Sequence, residues 1–127
     1  MINKKIIRSN SAPKAIGAYS QAVSTEKLLF TSGQIAINPV TGQLISDDFE
    51  EQVFQVFKNL ENILISENLS LDNILKLNVY MINLNDFDKL NDIFHKIFKQ
   101  SFPSRSVVEV SRLPKDCKIE IDAICCI

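Results

Sequence analysis

The sequence predicts an α+β sandwich: one mixed sheet with two helices packed on one of its faces. Two observations lead there. Two stretches repeat apolar residues at three- and four-residue steps, and each reads as an amphipathic helix. Runs rich in Val, Ile and Leu stand before, between and after them, giving the order β-β-β-α-β-α-β-β. Strands joined through helices imply crossovers within one sheet, with the helices laid against it.

Each element has a local reason. Lys4 to Arg8, around the Ile6-Ile7 pair, is a first short strand, and Asn10 to Lys14, with Pro13, is loop. Ala18 to Ser24, entered through Gly17, is a second strand and Leu28 to Ile37 a third. Asn38-Pro39-Val40-Thr41-Gly42 is a turn signal. Gly17 and Gly33 either end strands or permit a close backbone approach. Asp47 with Glu50 resembles a capping box, and Phe49, Val53, Val56, Phe57, Leu60, Ile63 and Leu64 form the apolar stripe of the first helix. Glu50, Gln52, Gln55, Lys58, Asn59 and Asn62 make its wet face, and Asn68 suits a left-handed end. Ile74 to Ile82 is a strand with Leu75, Leu77, Val79 and Met81 on one face. The second helix starts at Asn85 as cap and carries Phe87, Leu90, Phe94, Ile97 and Phe98 as its stripe. Asn91 falls on the rim of that stripe, where it reaches a cleft or meets water, and His95 lies toward the solvated edge. Arg105 to Ser111 and Cys117 to Cys126 close the sheet, joined by the Leu113-Pro114-Lys115-Asp116 turn. In the last strand Ile119, Ile121 and Ala123 share one face and Lys118, Glu120 and Asp122 the other.

Composition bounds the function. A chain of 127 residues, 46% hydrophobic and 23% charged, fits a single domain spanning 1–127 with a real core. A net charge of −1 gives no electrostatic reason for nucleic acid or an anionic membrane as partner. No apolar run approaches the roughly 18 residues of a membrane span, and the stretch from Met1 to Ile7 lacks a signal-peptide h-region, so a cytoplasmic protein is expected. Cys117, Cys125 and Cys126 are odd in number, lack a Cys-x-x-Cys spacing and have only His95 beside them, so they read as buried reduced thiols and no metal site is expected.

The stretch Phe102-Pro103-Ser104-Arg105-Ser106-Val107-Val108-Glu109-Val110 carries the chemistry. Pro103 separates a strand from the helix before it. Arg105 stands at the strand's mouth, where it either aims its planar fork at a carboxylate or phosphate or is salt-bridged at a strand edge. With Ile16-Gly17-Ala18-Tyr19-Ser20-Gln21-Ala22-Val23, with Thr31-Ser32-Gly33-Gln34-Ile35, and with the run through Lys118-Ile119-Glu120-Ile121-Asp122-Ala123, the chain resembles the Rid family, also called YjgF, over essentially its whole length.

The resemblance implies a chorismate-mutase-like fold, a homotrimer with sheets inward, and sites in clefts between subunits. An uncovered sheet face is in keeping with such self-association. By resemblance Arg105 binds the substrate carboxylate, Glu120 holds and activates a water, and Tyr19 and Ser32 line the pocket with hydroxyls. Gly33 supplies backbone beside the pocket and Asn91 its helical rim. Val107 stands where many members carry cysteine, leaving its backbone N–H for the ligand, and Ala18 replaces a common proline. The implied reaction is cofactor-independent hydrolysis of 2-iminobutanoate, 2-iminopropanoate or enamines such as 2-aminoacrylate to 2-oxo acids and ammonia. Such chemistry suits the residues: an arginine fixes the carboxylate and so the adjacent C=N carbon, and a carboxylate moves the water's protons. A 2-oxo acid sensor and an RNA-directed nuclease or translation inhibitor are the other two classes. Glu120 favours enzyme over sensor, and the missing basic stripe argues against RNA.

Overall fold

In the computed structural model, which describes residues 2–127, the helices and strands follow the predicted order. They are β1 (Lys5–Ile7), β2 (Ala22–Ser24), β3 (Leu28–Thr31), α1 (Phe49–Ile65), β4 (Ile74–Met81), α2 (Phe87–Phe98), β5 (Ser104–Glu109) and β6 (Ile119–Cys126). Met1, part of the stretch weighed as a signal peptide, lies outside the described residues. The strands form one sheet in the order β1-β2-β3-β6-β4-β5. Every neighbouring pair is antiparallel except β4 and β5, which are parallel and joined by the crossover through α2. The last strand thus lies in the middle, between β3 and β4.

That central position explains the alternation in β6. Ile119, Ile121 and Ala123 pair with Met81, Val79 and Leu77 and are buried with them. On this face Val53, Val56, Leu60 and Ile63 of α1 and Leu90, Ile93 and Phe94 of α2 complete one core. Each such side chain contributes roughly 1.5–3 kcal/mol by leaving water. Phe57 of α1 meets Phe94 and Phe98 of α2 edge to face, at 5.4 and 5.5 Å between ring centres, so the helices pack on each other as well as on the sheet. The opposite face carries Glu120, Asp122 and Ile124, opposite Tyr80, Asn78 and Lys76. It continues through Ser104, Ser106 and Val108 on one side and Phe30, Val23 and Ile6 on the other. Phe30, Ile6 and Val108 stay exposed there.

Several local expectations are corrected. The second and third strands are shorter than Ala18–Ser24 and Leu28–Ile37: residues 18–21 are loop, and residues 32–37 pair with the sheet through a single bridge, Gln34 against Ile121. The closing strands are Ser104–Glu109 and Ile119–Cys126 rather than Arg105–Ser111 and Cys117–Cys126. The cap of α1 is Asp48, whose Oδ2 accepts from Glu51 N at 2.9 Å, not the Asp47–Glu50 pair one residue earlier. Asn83, not Asn85, caps the turn that leads into α2, its Oδ1 accepting from Asn85 N at 2.9 Å. A register shift between Ile74 and Lys76 turns Leu75 outward and buries Ile74 in its place.

The largest correction lies on the supposed wet face of α1. Gln52 and Asn59 are fully buried. Gln52 Nε2 donates to Ser46 O and its Oε1 accepts from Lys118 N. Asn59 Nδ2 donates to the carbonyls of Ile35 and Ile37, at 3.1 and 3.0 Å. Residues 32–37 form only the isolated Gln34–Ile121 bridge with the sheet, and the Asn59 amide supplies a donor to two of their carbonyls. Asn68 takes the expected left-handed conformation, φ 59°.

Candidate active site

Two groups of residues converge at two separate places. The first gathers around Glu120. Gly17 turns the preceding loop with φ +119°, a conformation that favours glycine. Tyr19 N donates to Gly17 O at 3.1 Å, and the half-exposed Tyr19 hydroxyl accepts from Ile16 N at 3.2 Å, which leaves its own proton free to donate. Buried Gln21 holds this loop from below, donating to Ser9 O and Pro13 O while accepting from Ser9 N. Ser32 Oγ donates to Ser20 O at 2.6 Å, so toward the cleft it is an acceptor. Gly33 lies directly against the Glu120 carboxylate: a Cβ there would stand 2.5 Å from Oε2. Its lack of a side chain is therefore a condition of the carboxylate's position, which answers the question the sequence left open.

Tyr19, Ser32, Gly33 and Glu120 line a cavity of about 550 Å³ that also takes in Lys14, Ile16, Pro114 and Lys115. Burial, and then the negative charge of Asp122, hold the Glu120 carboxyl above the ordinary carboxylate range. A carboxyl group tuned upward in a cavity lined by hydroxyls is suited to taking and returning a water's proton.

The second group surrounds Arg105. Its Nη2 donates to Asn91 Oδ1 at 2.5 Å. The guanidinium lies over the Phe94 ring at 4.6 Å and the Phe87 ring at 5.3 Å. Burial lowers its pKa, though an arginine keeps its charge throughout the accessible range. None of the salt bridges among the described residues involves Arg105, so the edge salt bridge weighed from sequence does not form here. Held by an amide and two aromatic faces, the fork keeps N–H groups for an incoming anion. Val107 shares this side of β5 and is half-buried. Val110 N donates to Met81 O, so by strand alternation the Val107 N–H points outward from the sheet's free edge. Asn91, Phe94, His95, Phe102, Pro103 and Arg105 line a hollow of about 330 Å³. His95 is exposed on its rim, edge-on to Phe102.

The register separates the two groups. Arg105 pairs with Leu77 and Leu77 with Ala123, all on the helix-covered face. Glu120 pairs with Tyr80 on the other face. Within one chain the two side chains point to opposite sides of the sheet. The Phe87 and Phe94 rings beneath Arg105, and Lys14 and Lys115 beside Glu120, were missed from the sequence. The phenylalanines were read only as core, and the lysines sit in loops without periodicity. Cys117 and Cys125 are buried and their thiols are pushed up to about 11 and about 12, chiefly by burial, which makes them poor nucleophiles. Among the described residues no three His, Cys, Asp or Glu side chains are grouped to hold a metal ion.

A model of the family described as endoribonuclease L-PSP matches residues 9–127. The chain belongs to this family, the Rid family of the resemblance. A RutC family protein of Pyrococcus horikoshii is 46% identical over 121 residues, covering 95% of this chain and 96% of its own. The human 2-iminobutanoate/2-iminopropanoate deaminase is 39% identical over 121 residues, covering 95% and 88%. The crystal structure of a Rid protein from Yersinia pestis, described as of unknown function, superposes with a TM-score of 0.94 at 43% identity, covering 98% of this chain and 99% of that one. The α+β sandwich seen here is thus the Rid fold.

Proposed function

We propose that the protein hydrolyses 2-imino acids, such as 2-iminobutanoate, 2-iminopropanoate and the enamine 2-aminoacrylate, to 2-oxo acids and ammonia. The observation that carries the proposal is an arginine held on aromatic rings with no salt-bridge partner among the described residues, in a chain 39% identical to a deaminase named for that reaction. Arg105 binds the substrate carboxylate and so fixes the imine carbon. Glu120 orients a water, takes its proton as the oxygen attacks that carbon, and returns a proton to the departing nitrogen. As the C–N bond breaks and ammonia leaves, the hydroxyl gives up its remaining proton to the Glu120 carboxylate and the C=O bond forms. Tyr19 donates a hydrogen bond as charge shifts, and Val107 N–H and Asn91 border the carboxylate. Side chains and water supply every step, so the proposal includes no cofactor.

Because Arg105 and Glu120 face opposite sides of one sheet, the proposal further requires a site built by two copies, and we favour a homotrimer closed on the uncovered sheet face. A cytoplasmic setting is part of the same reading, supported by three free cysteines. The net charge of −1 gives RNA little to hold, despite the family's description.

The test compares two variants in calorimetric 2-oxobutyrate binding and in imine hydrolysis. Arg105→Ala should lose about 2–5 kcal/mol of binding, as when one partner of a buried charge pair is removed, and turnover should fall with it. Glu120→Gln should keep binding while turnover falls roughly 10²- to 10⁴-fold. Wild-type turnover by Glu120→Gln would make Glu120 a structural strand residue, and 2-oxobutyrate binding without any turnover by the wild type would leave a 2-oxo acid sensor as the better reading.

A further inference from the structure

The cleft beside Glu120 holds more than the proposed reaction uses. At about 550 Å³ it is in the size range of pockets for drug-sized ligands, roughly 300–1,000 Å³. A short imino acid leaves much of it empty. Two cations line it, Lys14 from the loop before Gly17 and Lys115 from the turn before β6. Neither joins a salt bridge among the described residues, and Asp116, the acid next to Lys115, is engaged by Arg112 at 3.3 Å.

The backbone at Lys115 is unusual in the same direction. Lys115 and Asp116 both have left-handed φ, 56° and 53°. An L-residue in that conformation costs roughly 1–2 kcal/mol. The turn persists because Pro114 pre-sets its own φ, and Asp116 N and Cys117 N donate back to Leu113 O and Pro114 O, each at 3.2 Å. Buried Leu113 and Cys117 anchor its two ends. The turn therefore fixes Lys115 in the lining of the cavity, where it stays exposed to solvent, and Glu120 lies five residues further on in β6.

We infer that Lys14 and Lys115 form a distal anion subsite, so that the enzyme accepts 2-imino acids bearing a second carboxylate at the end of the side chain. The inference rests on the proposed reaction. Arg105 of a neighbouring copy takes the carboxylate beside the imine carbon, Glu120 works on that carbon, and the side chain runs along the rest of the cleft to the lysines. An acidic side chain brings the charge they lack; an apolar one leaves them to water. A cleft that focuses positive potential favours the dianion in binding as well as in encounter.

The experiment uses the stable 2-oxo acid products as probes. Affinities for 2-oxoglutarate and 2-oxobutyrate are measured by calorimetry for wild type, Lys14→Met, Lys115→Met and the double variant. Hydrolysis of the corresponding imines, generated in place by an amino-acid oxidase, is followed in parallel. Each single change should lower the ratio of 2-oxoglutarate to 2-oxobutyrate affinity about three- to tenfold, between the worth of an exposed ion pair and that of a charge-assisted hydrogen bond. The ratio should fall further in the double variant and, in wild type, as salt is raised. Lys115→Gly, which relieves the left-handed backbone, should lower the ratio like Lys115→Met, separating loss of charge from loss of fold. A ratio unchanged across all variants overturns the subsite, as does an equal loss for both probes. A wild type that binds 2-oxobutyrate and hydrolyses its imine but ignores 2-oxoglutarate refutes the subsite alone. A wild type that binds neither probe and hydrolyses no imine refutes the proposed reaction itself, and the subsite with it.

Discussion

Gly33 and Glu120 act as one unit. A methyl group at position 33 would overlap the carboxylate, whose Oε2 lies 2.5 Å from the position a Cβ would take, and Gly33 has no left-handed φ to forbid alanine. Gly33→Ala should leave the fold intact because the flexible glutamate swings away. It should lower imine turnover toward the level of Glu120→Gln, with thermal unfolding as the control; undiminished turnover would mean the carboxylate's seat is unimportant. The same carboxyl gives a pH prediction. Burial first, and Asp122 second, raise its pKa in the folded state. The folded state's advantage from the neutral acid is present below the unfolded pKa and is lost as pH rises through the higher folded value. Glu120→Gln should therefore stabilise the protein at neutral pH relative to wild type, and flatten its stability-against-pH curve above the ordinary carboxylate range. Activity has the opposite sign, because the base works ionised: the rate should climb with pH through the raised value. Asp122→Asn should move that limb to lower pH, though only part of the way, since burial remains. A limb that does not move would assign it to another group.

Helix α1 does two jobs, and its apolar stripe accounts for only one of them. The stripe packs on the sheet, while Gln52 and Asn59 on its flank reach across to segments without regular structure. Asn59→Leu should leave the Ile37 carbonyl without its donor, at about 1–3 kcal/mol for a group left buried and unpaired, while the Ile35 carbonyl still accepts from Ile37 N at 2.8 Å. Lys58→Ala, one residue away and exposed, should stay within about 0.5 kcal/mol. Denaturant unfolding of the pair decides the matter. Equal stabilities would show that water replaces the amide without penalty. Because residues 32–37 carry Ser32 and Gly33, the Asn59 variant should also lose turnover beyond its loss of stability.

On the proposed mechanism a single copy holds only half of a site. One face of the sheet has Phe30, Ile6 and Val108 exposed and no helix upon it, and the two candidate catalytic groups lie on opposite faces. Light scattering should give three times the 14.4 kDa chain mass. Co-expressing Arg105→Ala with Glu120→Gln offers a sharper check. Either variant alone is impaired, but a mixed assembly brings an intact Arg105 from one copy to an intact Glu120 from another. Part of the activity should return in the mixture. A monomer at micromolar concentration, or a mixture no more active than its parts, would refute the shared site.

The sequence by itself determined the class of fold, the order of its elements, the apolar stripes and the motif residues, because each is written in local periodicity and short spacing. The stripe of α1 and the alternation of Ile119, Ile121 and Ala123 needed only the 3.6- and 2-residue repeats. Only the tertiary structure decided the rest, since it depends on partners far away in the chain. Periodicity marked Gln52 and Asn59 as polar and therefore wet; loops reaching them from Ser46, Ile35 and Ile37 made them dry. Boundaries drifted where single residues outweighed pattern, as at Asp48, Asn83 and the register shift beside Leu75. The local pattern around Arg105 favoured an edge salt bridge over an anion site, and its hold by Asn91 and Phe94 with no salt-bridge partner among the described residues came into view only in the fold. That Arg105 and Glu120 turn away from each other follows from strand order and register, which are set by pairing between β4, β5 and β6 across the folded sheet, a long-range relation that no local stretch of the sequence contains.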